Sequence, residues 1–382
     1  MKQLTVIIVN YKVKYFLEQT IRSVEEAMRN ISGEIIVIDN NSGDDTIEFL
    51  RNRFTLTAVD NKINVGFAGA NNAGIRMAKS QYTLILNPDT IIGERVLTDS
   101  INWIESHEDC GGIGVKMLDG NGVFLPESKR AFPSPWVSFC KIFGLSSIFP
   151  YSKIFAKYHL RYLDNSQPHK INIMAGAYMF IRTNLLQELR GFDEDFFMYG
   201  EDIDLSYRIS LSGYNNYYLP SPIIHYKGES TKEGSMQYVK VFYQSMIIFF
   251  KKHYPNYSKG YAIMIRAAVH LRAAMAMAKR LLPAGKRNTR LNTKWIVISA
   301  MPQPILTILS QKDILPENIS AQSAVILTQL QDFQKYDIVL DNRHFSYQEI
   351  IDFIEKYSAK HLHFHIYSSQ SNLIISPKMQ VI

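Results

Sequence analysis

Glu34-Ile35-Ile36-Val37-Ile38-Asp39-Asn40-Asn41-Ser42-Gly43 is an apolar, largely β-branched run that stops abruptly in polar residues. β-branched side chains suit a strand, and a run without alternation suits one buried on both faces of a parallel sheet. The pattern recurs on either side: Leu4 to Val9 stops at Asn10-Tyr11, and Tyr82 to Leu86 stops at Asn87-Pro88-Asp89. Between these strands, Tyr15 to Met28 has helical spacing, with Phe16, Leu17, Ile21 and Val24 on one side. A second helix runs through Ile47, Phe49 and Leu50, a short strand lies near Leu56 to Val59, and a third helix spans Asn71 to Lys79. Strands alternating with helices, each strand ending in polar residues, describe an open α/β sheet with a ligand crevice along that edge.

The chain of 382 residues exceeds one typical domain, and 46% hydrophobic against 20% charged residues allows a sizeable core. Cys110 and Cys140 are too few for a disulfide framework, which points to a reducing compartment. The apolar run from Leu4 is too short for a signal peptide and no small-residue cleavage site follows it, so a cytoplasmic location is expected. A net charge of +7 asks for an anionic partner: nucleic acid, anionic lipid or a phosphorylated substrate. No zinc spacing and no lysine or arginine stripe at helical period accompanies it, so no nucleic-acid partner is expected.

Past Gly111 the pattern loosens into a stretch rich in aromatics and lysines, from Phe132 to Tyr162. This stretch reads equally as a cover for a lipid-bearing acceptor or as a packed insertion. A strand pair is expected over Ile173 to Arg182, a helix from Glu201, and a strand from Asn216 to His225. Residues 241–292 read as an amphipathic, basic helical segment; Arg266, His270 and Arg272 interrupt its apolar part, against a membrane span. Peripheral contact with a membrane surface and packing on the preceding domain both fit it. Residues 293–382 read as a small α/β domain, with strands at Trp295 to Ser299, Ala324 to Leu327, Tyr336 to Leu340 and Leu362 to Ile366, and a helix over Phe345 to Tyr357.

The chemistry concentrates in Asp193-Glu194-Asp195-Phe196-Phe197-Met198-Tyr199-Gly200-Glu201-Asp202-Ile203-Asp204, with Arg208 one turn later. Crowded carboxylates raise one another's pKa and a cation lowers it, an arrangement that can set a general base near neutral pH. At a helix start such carboxylates also simply favour the helix dipole, and Asp204 with Arg208 makes an i,i+4 pair. Asp39 and its polar neighbours suit an Asx turn as well as a ligand, and Asn87-Pro88-Asp89 suits a plain turn as well as a cation site.

Taken in order, Asn10-Tyr11, Asp39-Asn40-Asn41-Ser42, Asn64-Val65-Gly66-Phe67-Ala68 with Asn71, Asn87-Pro88-Asp89, Met174-Ala175-Gly176-Ala177, Gly191-Phe192-Asp193, Glu201-Asp202 and His225 resemble the motifs of family-2 glycosyltransferases. The likeness is to the rhamnosyltransferase-like group and covers roughly residues 3 to 230. It implies a GT-A type open mixed sheet with a Rossmann-like nucleotide-binding half in residues 1–240, followed by the helical linker and the small C-terminal α/β domain.

The resemblance also implies roles. Asn10, Asp39, Asn40, Asn64, Gly66 and Asn71 would bind the nucleotide-sugar donor, a dTDP- or UDP-sugar, with Asp39 on the base. Asp89 stands where the family has its metal-binding carboxylate pair, of which the first member is Asn87 here. It would take a divalent cation, Mg²⁺ or Mn²⁺, with His225 as a metal or diphosphate contact and Lys227 and Lys232 nearby. Asp202 would be the base and Glu201 would position base or acceptor. The expected activity is inverting transfer of rhamnose or another hexose to a hydroxyl of a cell-surface glycan or lipid-linked acceptor. The enzyme would be cytoplasmic or peripheral on the inner face of the cytoplasmic membrane. Two rivals stand beside this reading: a non-catalytic nucleotide-sugar-binding scaffold, and a dinucleotide oxidoreductase, which lacks its glycine fingerprint after the first strand.

Overall fold

A computed structural model of the chain describes residues 2–142, 144–227, 236–255, 260, 263, 293–320, 335–359 and 361–376. The first half alternates β1 (Leu4–Asn10), α1 (Lys14–Ala27), β2 (Gly33–Asp39), α2 (Thr46–Arg53), β3 (Thr57–Asp60), α3 (Gly66–Met77) and β4 (Tyr82–Leu86). Then follow β5 (Thr90–Ile92), α4 (Val96–Ser106), β6 (Cys110–Leu118), α5 (Pro135–Ile142), α6 (Leu145–Ile148), β7 (His169–Ile171), β8 (Tyr178–Arg182), α7 (Thr183–Glu188), α8 (Glu201–Leu211), β9 (Asn215–His225) and α9 (Met236–His253).

These strands form one sheet in the order β3-β2-β1-β4-β8-β6-β9-β5, with β7 beside β9. The four at its start are parallel, and β8 runs against β4. The register sets Asn10 opposite Asp39 and Asp39 opposite Asp60, so the polar strand ends meet at one edge. Leu4, Val6, Ile8, Val37 and Leu84 are wholly buried beneath α1 and its neighbours. Each such side chain contributes roughly 1.5–3 kcal/mol relative to exposure.

Two expectations need correction. The third helix begins at Gly66, not Asn71, because Gly66 takes φ +77° and turns the chain straight into α3. The stretch from Ile173 to Arg182 is not a strand pair: β7 ends at Ile171, Ile173 to Ala177 is a connection, and β7 pairs with β9 while β8 pairs with β4 and β6. In the expected helical segment, Phe249 and Phe250 of α9 are buried against Ile173, Phe196 and Ile203 of the preceding domain. Residues 264–292, including Arg266, His270 and Arg272, lie outside the described residues.

The C-terminal part comprises β10 (Lys294–Ile298), α10 (Gln303–Ser310), β11 (Asn318–Ser320), β12 (Tyr336–Asp341), α11 (Tyr347–Lys356), β13 (Leu362–Ser368) and β14 (Leu373–Ile375). They make a second sheet, β11-β10-β12-β13-β14, parallel except for β14. The strand expected at Ala324 to Leu327 falls outside the described residues. The two parts share a core in which Tyr347, Ile350, Ile351 and Ile354 pack with Phe16, Ile91, Ile224 and Tyr226. Glu94 completes the joint: its carboxylate accepts the Tyr347 N–H at 3.0 Å and the Gln348 N–H at 2.7 Å. Ser346 caps the next N–H within the helix, so the orphan donors of the first turn of α11 are satisfied from two domains.

Candidate active site

A cavity of about 580 Å³ opens where the ends of β1, β2 and β4 face the start of α8. Its first wall carries Tyr11, Asn40, Asn64 and Gly66. The Asn40 amide donates to Asn64 Oδ1 at 2.9 Å and to the Gly66 carbonyl at 3.2 Å, while its oxygen accepts the Val65 N–H at 3.1 Å. A side chain at Gly66 would place Cβ 2.5 Å from the Phe197 carbonyl oxygen, so only glycine lets this wall approach the loop before α8.

Three residues expected on this wall stand behind it. Asp39 Oδ1 accepts from Asn10 Nδ2 at 2.7 Å and from the Ser42 hydroxyl at 2.6 Å, and Oδ2 accepts the Ser42 N–H at 2.9 Å. Asp39 and Asn10 therefore brace the strand ends, and the cavity lining next to them is Asn40. Asn71 lies inside α3, where its amide donates to the Phe67 carbonyl at 2.9 Å. The helix begins one turn earlier than the spacing suggested, which turns Asn71 inward.

The second wall is Asn87, Pro88, Asp89 and His225. Pairing of β5 with β9 sets Thr90 opposite His225, and this brings His225 Nε2 to 3.4 Å from Asp89 Oδ1 and 3.3 Å from Asn87 Nδ2. The other ring nitrogen, Nδ1, is buried without a partner. No group of three histidines, cysteines or carboxylates is assembled among the described residues. Asp89 and the His225 ring are the kinds of group that could together hold a divalent cation, which would draw its other ligands from phosphate oxygens and water.

The third wall is the first turn of α8. Tyr199 at φ +67° and Gly200 at φ +88° turn the chain so that Glu201 and Asp202 enter the cavity together. Asp202 Oδ2 accepts from Arg130 Nη2 at 2.5 Å and from the Gly176 N–H at 3.2 Å, and Oδ1 accepts the Ile203 N–H at 2.8 Å. Arg130 is also anchored on the Met174 carbonyl at 2.8 Å. Glu201 is different: burial, reinforced by the charge of Asp202, pushes its carboxyl up to about 8. One of its oxygens has no hydrogen-bond partner. Glu201 is therefore a buried acid that keeps its proton at neutral pH, beside an Asp202 whose oxygens are taken by a guanidinium and two backbone N–H groups.

The fourth wall joins Lys227 to the aromatic, lysine-rich stretch from Phe132 to Tyr162, and Glu127, Arg130 and His159 are the members that no motif marks. Glu127, Arg130, Lys141, Tyr158, His159 and Lys227 line it, with Lys227 Nζ 2.7 Å from Glu127 and Lys141 Nζ 3.5 Å from the Tyr158 ring centroid. Burial, then the charges of Lys141 and Arg130, hold His159 down at about 3, so it is neutral. The available signal was the absence of any carboxylate between Glu127 and Asp164 in a stretch holding six lysines and arginines. Lys232 lies outside the described residues.

The order of these motifs along the chain has a counterpart. Residues 2–241 match the family described as Glycosyltransferase like family 2. The chain belongs to that family. This glycosyltransferase is an enzyme, so the scaffold reading yields, and its large open mixed sheet is the GT-A type sheet expected. It is 23% identical over 308 residues to an N-acetylglucosaminyl-diphospho-decaprenol L-rhamnosyltransferase of Mycobacterium tuberculosis (strain ATCC 25618 / H37Rv), covering 75% of this chain and 97% of that relative. It is 30% identical over 169 residues to rhamnosyltransferase WbbL of Escherichia coli (strain K12), covering 42% and 61%. Among solved structures, the mannosyltransferase PcManGT from Pyrobaculum calidifontis with GDP-Man and Mn²⁺ is 17% identical, at a TM-score of 0.47, over 73% of this chain and 80% of that one. No helix among the described residues is long and apolar enough to cross a membrane.

Proposed function

We propose that this glycosyltransferase moves rhamnose or another hexose from a dTDP- or UDP-sugar to a hydroxyl of a cell-surface glycan or glycolipid acceptor, with inversion at the anomeric carbon. The observation that carries the reading is the placement of Asp89 and His225 on one wall of a single cavity, with Asp202 on another. Two relatives named as rhamnosyltransferases support the sugar, and one relative's lipid-linked substrate supports the acceptor. The work would take place in the cytoplasm or on the inner face of the cytoplasmic membrane.

Asn40, Asn64 and Gly66 form the donor side, where amides and exposed backbone suit ribose and diphosphate oxygens. Asp39 and Asn10 keep that side rigid from behind. Asp89 and His225 would hold a divalent cation, Mg²⁺ or Mn²⁺, which when bound supplies positive charge beside the diphosphate. Asp202 takes the proton of the acceptor hydroxyl as its oxygen forms the bond to the anomeric carbon and the bond to the diphosphate breaks. Attack from the face opposite the leaving group inverts the centre. Arg130 orients Asp202, and Glu201, protonated, is placed to donate a hydrogen bond to the acceptor.

The test is transfer by the whole chain from dTDP-, UDP- and GDP-sugars, with and without Mn²⁺, read by NMR of the product's anomeric proton. Product of inverted configuration from a dTDP- or UDP-sugar supports the reading. Retained configuration, or nucleotide-sugar binding with no transfer to any hydroxyl acceptor, overturns it.

A further inference from the structure

We infer that the outer face of α5, α6 and the turn after them is a docking surface for an anionic bilayer. Trp136, Ile148, Phe149, Tyr151 and Ile154 are each between 48% and 76% exposed, although all are large and apolar. All five fall within 19 positions of sequence, and two of them are joined in space. Phe155 bridges these two, with ring centroids 6.1 Å from Trp136 and 5.3 Å from Phe149. A surface of this kind, gathered in a short stretch, marks a binding face.

Charge selects the occupant. Lys153, Lys157 and Arg161 are exposed beside the patch, and no carboxylate occurs in the sequence between Glu127 and Asp164. Exposed aromatic and aliphatic side chains in a stretch whose charged residues are all basic are what an anionic headgroup layer accommodates: rings and methyls enter the acyl boundary while ammonium groups stay among the phosphates. A second copy of this chain, itself carrying a net charge of +7, would bring like charge to the patch. The inner face of the same stretch closes the cavity, since Lys141, Tyr158 and His159 line it. The cavity mouth beside Asp202 would then face the layer in which a lipid-bearing acceptor resides. Only this last consequence rests on the proposed acceptor; the docking itself does not.

The test is co-sedimentation of the full chain with vesicles containing phosphatidylglycerol and with vesicles of phosphatidylcholine alone. Phe149→Ser/Ile154→Ser and, separately, Lys153→Glu/Lys157→Glu are expected to weaken partition onto the phosphatidylglycerol vesicles by about tenfold or more. None of these side chains lines the cavity, so transfer to a water-soluble acceptor is expected to stay unchanged. Undiminished partition of either variant, or equal partition onto the neutral vesicles, overturns the inference. So does a change in oligomeric state of the serine variant in place of a change in vesicle binding. Vesicle binding that behaves as expected while no acceptor is ever glycosylated would sink the proposed activity and leave this surface standing.

Discussion

Arg130 Nη2 lies 2.5 Å from Asp202 Oδ2, joining the connection after β6 to the first turn of α8 across 72 positions of sequence. Both side chains are largely buried, at 11% and 14% exposure, so neither charge is well served by water. The guanidinium and the Gly176 N–H hold Oδ2, while the Ile203 N–H holds Oδ1, so the carboxylate is fixed in orientation. Asp202→Asn preserves the shape but cannot take a proton, and turnover is expected to fall by roughly 10²-fold or more. The donor dissociation constant, measured by calorimetry, should stay within about twofold, since the proposed donor contacts lie on the other walls. Arg130→Met should also reduce turnover, and in a double-mutant cycle the second substitution should add little to the first, because both act on one group.

Two carboxyls of α8 respond to pH in opposite senses. Glu201, raised to about 8 from 4.5, favours the fold when protonated. Its contribution is complete below 4.5 and is lost as pH rises toward about 8. Glu201→Gln is neutral at every pH, so the fall in Tm across that window should be shallower in the variant. A parallel pair of Tm curves would remove Glu201 as the source.

Asp204 is wholly buried, which by itself would raise its pKa, yet His253, Arg208 and Lys252 hold it down at about 2. Its contribution is present above the ordinary value of 3.8 and is lost as pH falls to about 2. Asp204→Ala leaves those cations facing an empty place, at about 3–5 kcal/mol of stability near neutral pH. Urea unfolding should record that deficit near neutrality and a smaller one near pH 2. An equal deficit at both would assign the loss to packing instead.

Gly66→Ala would put Cβ 2.5 Å from the Phe197 carbonyl at a φ of +77°. Strain of about 1–3 kcal/mol is expected, and relief requires the loop bearing Tyr199 and Gly200 to move. The donor KM should therefore rise together with the loss of stability. A variant that is less stable but binds donor normally would confine Gly66 to a folding role.

Glu94→Ala removes the acceptor of two N–H groups at the start of α11. A loss of about 1–2 kcal/mol is expected. Amide exchange should speed up at Tyr347 and Gln348 before it does elsewhere in α11, while Glu94→Gln, which keeps one acceptor oxygen, should fall between. Unchanged exchange at those two amides would show that the apolar contacts of Ile350 and Ile351 hold the joint unaided.

What the chain's own text determined is what short-range physics controls. Strands β1, β2 and β4 follow from apolar runs, α1 from its spacing, and the Asp204–Arg208 pair, 2.7 Å apart, from one helical turn. The family resemblance added the polar clusters at the strand ends, and the structure gathers Asn40, Asn64, Gly66, Asp89, Glu201, Asp202 and His225 around one cavity. Which side of a wall a residue occupies was not legible. Asp39 and Asn71 look like donor ligands in sequence, and the structure sets both behind the cavity lining, Asp39 bonded to Asn10 and Ser42 and Asn71 donating to the Phe67 carbonyl. Arg130 and Glu94 belong to no motif. Their importance arises from partners dozens to hundreds of positions away, which strand order and the β5–β9 pairing bring within reach. Periodicity reports on neighbours three or four residues apart; burial and charge at this site are set by elements that meet only after the sheet has closed.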